Sequence, residues 1–145
     1  MIELDDIDRR LLRALAGEAR QSAAALGKLL GLSQPATWRR IRRLEEAGII
    51  VGREVRVDPA KLGFGVTVFL GVKLAARGRA AMGDFERAVI AIPEVQLVQQ
   101  VIGVYDYRLR VVARDLADFE RILRRRIMTL PGVGDVESNV LLSDE

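Results

Sequence analysis

The chain of 145 residues contains no cysteine and no histidine. This absence excludes disulfide bonds, thiolate nucleophiles, zinc sites built from cysteine and histidine, and any Ser-His-Asp triad. We therefore predict no catalytic residue, no bound metal and no cofactor.

Long apolar runs are also missing. No segment reaches the roughly 20 consecutive apolar residues that a membrane-spanning helix needs. The first ten residues, MIELDDIDRR, are acidic and do not resemble a signal peptide. We expect a soluble cytoplasmic protein without membrane contact. Because 50% of its residues are hydrophobic, the chain can build the core of one ordinary domain or two small ones.

Net charge gives little information. It is only +3 and is spread almost evenly over the two halves, although the sequence pI of about 9.8 is typical of nucleic-acid binders. Any interaction with nucleic acid must therefore depend on local clustering of charge.

Such a cluster lies between Ser22 and Ile50, which we interpret as a helix-turn-helix unit. Gly31 can end the first helix in the left-handed conformation, and Ser33 can cap the second. Thr37, Ile41 and Leu44 would form the inner face of that second helix. Arg39, Arg42, Arg43 and Pro35 would point the opposite way, with Trp38 and Arg40 on the flanks.

This arrangement suits a recognition helix that enters the major groove of DNA with its N-terminus first. An arginine run alone is also compatible with a solvated helix face, and Trp38 could pack against its own domain instead of touching a sugar or a thymine methyl. The predicted DNA-binding residues are Ser33, Gln34, Pro35, Ala36, Trp38, Arg39, Arg40, Arg42 and Arg43.

A first helix is predicted from Asp5 to Glu18, with Asp5 as its cap and Asp8 three residues later. After Gly48 the pattern becomes extended, and IIVGREVRVDP predicts a short hairpin, the wing of a winged helix. Its arginines, Arg53 and Arg56, could contact phosphates or simply face solvent. We place the DNA-binding domain at 1–50, the hairpin and linker at 51–63, and a second domain at 64–145.

The residue pattern of the second domain predicts the order strand–helix–strand–strand–helix–strand, which is the ferredoxin-like plan of an α+β fold. The predicted strands begin near Phe64, Val95, Tyr107 and Val136, and the helices span about 79–92 and follow Asp115 or Asp118. Both helices would cover one face of the sheet. The other face would expose aliphatic and glutamine side chains, and through it we expect two copies to form a dimer that binds a palindromic site.

The whole pattern resembles the Lrp/AsnC family of transcriptional regulators. The resemblance depends on Leu4-Asp5 with Asp8, on Gly31-Leu32-Ser33, on Arg40-Ile41 through Leu44-Glu45 with Gly48 and Ile50, on Gly103 with Asp106-Tyr107, and on Leu130-Pro131-Gly132-Val133. It implies a homodimer that assembles further, to tetramers or octamers, through an effector and oligomerisation domain of the RAM type.

The resemblance also implies a small effector, commonly an amino acid, bound in clefts between second domains of neighbouring dimers. The implied effector residues are Gly103, Val104, Tyr105, Asp106, Tyr107 and Ser138. Asp106 could hold an ammonium group, or it could be a turn aspartate that caps its own backbone. Ile102, Val104 and Gln99 replace the hydroxyl, acidic and histidine residues usual in the family, which favours a more apolar ligand, weak binding or no ligand.

The sequence thus predicts a sequence-specific transcriptional regulator that binds double-stranded DNA. Alanine at Arg39 should relax sequence preference, and alanine at Arg43 should weaken binding to all sequences. One alternative is a DNA-wrapping protein of low selectivity. Another is an enzyme similar to the siroheme decarboxylases that resemble this family, which the absence of histidine argues against.

Overall fold

A computed structural model describes residues 2–17 and 21–144. The chain divides into two compact units, Met1–Arg56 and Val57–Glu145, and the division falls inside the predicted linker. None of the helices in the described ranges is long and apolar enough to cross a membrane. The helices and strands are α1 (Asp6–Gly17), α2 (Ala23–Leu30), α3 (Gln34–Glu46), β1 (Val66–Leu74), α4 (Arg79–Ile90), β2 (Val95–Gln100), β3 (Tyr107–Ala113), α5 (Leu116–Ile122) and β4 (Val133–Val140).

The first unit is a three-helix bundle whose helices begin at the predicted caps. Ser22 and Ser33 each accept a hydrogen bond from the backbone N–H three residues later, at 3.1 and 3.2 Å. Asp5 and Asp8 cap each other's backbone N–H at the start of α1. The predicted end of that helix, Glu18, lies outside the described residues. The bundle is closed by a small buried core of Leu11, Leu26, Leu30, Ile41 and Leu44.

The predicted wing is not formed. Residues 51–58 have no strand assignment, and the valines of the expected hairpin, Val51, Val55 and Val57, are exposed. Alternation of valine with charged residues fits a strand, but an isolated two-stranded hairpin is marginal without a further strand or helix to cover one face. Among the described residues this segment has no such cover. A single 3-10 turn, Ala60–Leu62, follows it.

The second unit confirms the ferredoxin-like plan. Its sheet is antiparallel, with strand order β2-β3-β1-β4. The predicted limits of β3 match the structure, whereas α4 ends at Ile90 and β4 begins earlier, at Val133. The last helix continues beyond Ile122 as one π-helical turn, Leu123–Ile127, in which the Met128 N–H donates to the Leu123 carbonyl.

Strict alternation sends one side of β1 and β3 towards the helices. Val68, Leu70 and Val72 of β1 are buried there with Leu109 and Val111 of β3, against Phe85 and Val89 of α4 and Phe119 and Ile122 of α5. Burial of large apolar side chains on this face supplies most of the hydrophobic stabilisation of the unit.

The opposite face of the sheet, here called the open face, is more charged than predicted. Its residues are Thr67, Phe69, Gly71 and Lys73 of β1, Arg108, Arg110 and Val112 of β3, Leu97 and Gln99 of β2, and Asp135, Glu137 and Asn139 of β4. The aliphatic residues of the strands alternate almost entirely towards the helices, which leaves the charged positions on the other side. Arg108 covers part of Phe69, its guanidinium carbon 5.1 Å from the ring centroid.

Candidate nucleic-acid interface and effector loop

The turn between α2 and α3 depends on two glycines. Gly31 ends α2 in the left-handed region, with φ 68°, and the N–H of Leu32 donates to the Gly27 carbonyl at 2.8 Å. A Cβ on Gly27 would lie 2.6 Å from the Leu32 carbonyl oxygen and 3.2 Å from Oγ1 of Thr37. A side chain there would push the two helices apart. Gly27 was not among the residues predicted from the sequence to matter, although a glycine inside a helical pattern commonly has a packing reason.

The exposed front of α3 carries two of its four arginines. Thr37, Ile41 and Leu44 are buried as predicted, and Arg39 and Arg42 lie on the opposite side, exposed to solvent. Neither forms an ion pair or hydrogen bond within 2–17 and 21–144. Gln34, Pro35 and Trp38 are exposed beside them, and Trp38 keeps 49% of its surface accessible.

The other two arginines of α3 are bound to α1. Nη1 of Arg40 lies 2.8 Å from Oδ2 of Asp5 and 3.0 Å from Oδ1 of Asp8. Nη2 of Arg43 donates to Oδ2 of Asp8, whose side chain is fully buried. The structure therefore differs from the expectation that Arg43 points away from the inner face.

Electrostatics at this contact favour the charged forms of both partners. A hydrogen bond from the Asp8 backbone N–H, followed by one from Arg40, lowers the pKa of Asp5 below its ordinary value. Hydrogen bonds to Asp5 and then Asp8 raise the pKa of Arg40. The pair of Arg40 and Asp5 is thus stabilised in its charged form.

The spacing in the sequence contains a signal for this contact. At about 100° per residue, Arg40 and Arg43 lie about 60° apart on one flank of α3, while Arg39 and Arg42 lie about 60° apart at its front. A matching pair of acids three residues apart, Asp5 and Asp8, stands at the start of α1. The two pairs could have been matched from sequence only with knowledge of how α1 packs on α3.

In the second unit, Asp106 is a structural aspartate of the loop that precedes β3. Its Oδ2 accepts the N–H of Leu74 at 2.8 Å, and its Oδ1 lies 3.3 Å from Nε of Arg77. Its own N–H donates to the Val72 carbonyl at 2.9 Å. Both carboxylate oxygens are therefore engaged, but by Leu74 of β1 and by Arg77, so Asp106 binds a neighbouring strand and does not cap its own turn as the alternative expected.

Tyr105 anchors the same loop to the open face. Its ring lies over Gly71, where a Cβ would approach the ring carbons to 2.6 Å, so glycine is needed at that position of β1. Its hydroxyl donates to the carboxylate of Glu137 on β4. That hydrogen bond is the main reason why the pKa of Tyr105 is raised.

Two predicted effector residues lie on the helix side of the sheet instead. Tyr107 is 1% exposed, stacks against Phe85 with ring centroids 4.7 Å apart, and donates its hydroxyl to Glu86 at 2.6 Å. Burial and then the bond to Glu86 raise its pKa to about 12. Ser138 is paired opposite Leu70, so the strand directs it away from Tyr105, and Glu137 is the β4 residue that meets the loop.

The part of the loop that does face solvent is apolar. Ile102 is fully exposed and Val104 is 74% exposed, on either side of Gly103. The polar groups of Tyr105 and Asp106 thus attach the loop to the sheet, while its aliphatic side chains Ile102 and Val104 face solvent.

A three-helix DNA-binding unit with exposed arginines, joined to a ferredoxin-like unit, defines the class of a two-domain transcriptional regulator. The profile described as winged helix-turn-helix DNA-binding matches residues 4–51, and the Lrp/AsnC ligand binding domain matches residues 67–144. The chain belongs to the Lrp/AsnC family.

Individual relatives agree with this assignment. The chain is 39% identical to the Bkd operon transcriptional regulator of Pseudomonas aeruginosa, with 95% of this chain and 90% of the relative covered. It is 34% identical to the DNA-binding transcriptional activator DecR of Escherichia coli, with 94% and 90% covered. A transcriptional regulator of Neisseria meningitidis solved as a complex with L-Met superposes with a TM-score of 0.90 at 27% identity, with 98% and 92% covered.

Proposed function

We propose that this regulator binds double-stranded DNA by inserting the N-terminal half of α3 into the major groove. The observation behind this assignment is the pair Arg39 and Arg42, which is exposed at the front of α3 and has no ion-pair partner among the described residues. Arginine in that position can bind guanine edges in a bidentate manner or neutralise phosphates.

The first turn of α3 allows a close approach to the bases. Ser33, Gln34 and Pro35 are exposed, and Ala36 adds little bulk. The accessible half of the Trp38 ring lies beside this end, where it can contact a sugar or a thymine methyl. Arg40 and Arg43 are left out of the proposed contacts because their guanidinium groups bind Asp5 and Asp8.

The open face of the sheet supports pairing of two copies. Arg108 and Arg110 on β3 and Asp135 and Glu137 on β4 lie on opposite sides of β1. A two-fold axis above β1 and parallel to it would place β3 of one copy over β4 of the other, so that opposite charges meet. A dimer of this kind presents two α3 helices and requires a palindromic site. Assembly to tetramers or octamers is part of the same proposal.

The effector, in our proposal, is an amino acid with an apolar side chain or a more apolar small molecule, bound at the 101–107 loop between copies. Ile102 and Val104 offer aliphatic contact, and Gly103 between them is exposed and has no side chain, which lets a carboxylate approach the backbone. Asp106 is already engaged by Leu74 and Arg77, so it adds little for an ammonium group. The relative solved with L-Met is consistent with an apolar amino acid.

Because the relatives are named transcriptional regulators, we propose that the chain has no catalytic activity. The decisive experiment is a footprint on the DNA upstream of the chain's own gene at about 100 mM salt, where specific sites normally hold. Protection of one short palindrome is the expected result. Long phased protection would indicate wrapping instead, and no protection anywhere would contradict the proposal.

A further inference from the structure

The α1 carboxylates, Asp5 and Asp8, bind the flank of the recognition helix at two points one turn apart. Asp8 is fully buried, with Oδ1 bound by Arg40 and Oδ2 bound by Arg43 and by the Asp5 backbone N–H. Asp5 adds a second carboxylate to Arg40 at 2.8 Å. Both carboxylate oxygens of the buried Asp8 are therefore paired.

A contact of this kind restricts rotation of α3 about its own axis. A buried carboxylate is costly unless it is paired, so Asp8 strongly favours the one arrangement in which both arginines reach it. The arginine pairs of α3 differ by roughly a quarter turn in direction. The orientation that brings Arg40 and Arg43 onto α1 is therefore also the orientation that turns Arg39 and Arg42 outward.

We propose that Asp8, together with Asp5, is a positioning residue for DNA recognition: it holds Arg40 and Arg43 on α1, so that each recognition helix presents two arginines to DNA and not four. This inference depends on the proposed binding through α3. The proposed consequence is that α3 makes fewer phosphate contacts, which add affinity without sequence information. A larger fraction of the binding free energy then comes from contacts to bases.

A matched pair of substitutions on one helix tests the proposal. Arg42→Gln and Arg43→Gln remove the same charge from neighbouring positions, and each purified variant is titrated with the footprinted duplex and with a random duplex over a series of salt concentrations. If Arg42 contacts a phosphate, its loss makes the slope of log K against log salt less negative by about 0.9 for each α3. Arg43→Gln is expected to leave the slope within about 0.3 of the wild type, because Arg43 makes no phosphate contact.

The reverse substitution frees the flank arginines. Asp8→Asn removes the buried charge with little change of shape, and we expect a steeper slope on random DNA and at least a threefold fall in the ratio of specific to random affinity. Asp5→Asn, at a partly exposed site, should act in the same direction more weakly and provides the result if Asp8→Asn does not fold. Adding Arg43→Gln to Asp8→Asn should return the slope towards the wild type.

Three outcomes separate the possibilities. Equal slope losses for Arg42→Gln and Arg43→Gln would show that Arg43 contacts DNA, and would overturn the positioning role while leaving DNA binding by α3 intact. An unchanged slope in both Asp5→Asn and a folded Asp8→Asn would overturn it as well. If wild-type protein does not distinguish the two duplexes, the proposed function itself fails.

Discussion

The front of α3 and the loop at residues 101–107 both present side chains to solvent, but α3 exposes charged groups whereas the loop exposes apolar ones. On α3, Arg39 and Arg42 point outward without an ion-pair partner in the described part of the chain. In the loop, Asp106 and Tyr105 turn their polar groups inward, to Leu74, Arg77 and Glu137, and the exposed positions are Ile102 and Val104.

This difference indicates different kinds of partner. An exposed guanidinium is well hydrated and costs little until a phosphate or a guanine edge replaces the water. Exposed isoleucine and valine side chains cannot form hydrogen bonds and are stabilised by removal from water, so they favour association with another apolar surface or ligand. The first region is suited to a polyanion and the second to an apolar molecule or a second copy of the chain.

The largest expected effect comes from Arg39→Ala. If Arg39 reads a base, its loss should cost about 1–3 kcal/mol for each half-site, which is roughly a 5- to 150-fold loss of specific affinity per half-site, with a smaller change on random DNA. Fluorescence anisotropy with the footprinted duplex and its point variants measures both the affinity and the relaxed preference.

A matched control for Arg39 is Arg125→Ala, which removes an exposed arginine from the π-helical turn of the second unit. It should leave affinity for both duplexes unchanged. Equal losses in the two variants would mean that bulk charge, and not the front of α3, governs binding, and the contrast between the two regions would disappear.

An intermediate effect is expected from Tyr107→Phe, which tests the inward-facing end of the loop. The phenol bond to Glu86 should contribute about 1 kcal/mol to the free energy of unfolding. The folded chain binds the phenol proton more tightly than the unfolded chain, because the pKa rises to about 12 on folding. This contribution is therefore complete below about pH 10 and is lost as the pH rises towards 12.

Urea unfolding followed by circular dichroism between pH 8 and pH 11.5 measures this difference. The gap between wild type and Tyr107→Phe should shrink as the pH rises, while the fluorescence of Trp38, the single tryptophan, reports on the first unit and should not distinguish the two proteins. A gap that stays constant over this range would contradict a proton-linked role for the hydroxyl.

Sequence reasoning succeeded where one local pattern determines the structure. Helix caps at Ser22 and Ser33, the turn at Gly31 and the alternation of β1 and β3 each depend on neighbouring residues, and the structure confirms them. It was less successful where a contact joins distant segments. The pairing of Arg43 with Asp8 spans 35 positions, and the wing lacks the covering partner that its valines require.

The loop shows the same limit on a smaller scale. Sequence alone left two alternatives for Asp106, a partner for an ammonium group or a cap of its own turn, whereas its carboxylate accepts the N–H of Leu74, 32 residues away, at 2.8 Å. Tyr107 was placed with the effector residues because it adjoins the loop in sequence. The strand alternation that begins at this residue sends it into the core.

The smallest expected effect comes from Ile102→Ser, which tests the outward side of the loop. Because Ile102 is fully exposed, the free energy of unfolding without ligand should change by less than about 0.5 kcal/mol. A ligand at 100 times its dissociation constant should stabilise the wild type by about 2.7 kcal/mol. If L-Met or L-Leu buries an area of Ile102 equivalent to about one methylene group, the variant should lose roughly 1 kcal/mol of that gain. Thermal shift with L-Met, L-Leu and L-Asp measures this, and Leu142→Ser, at a similarly exposed position, is the control.

Equal shifts in both variants and the wild type would show that the ligand does not contact Ile102. If none of the three amino acids shifts the wild type, the loop is left as a surface for another copy of the chain.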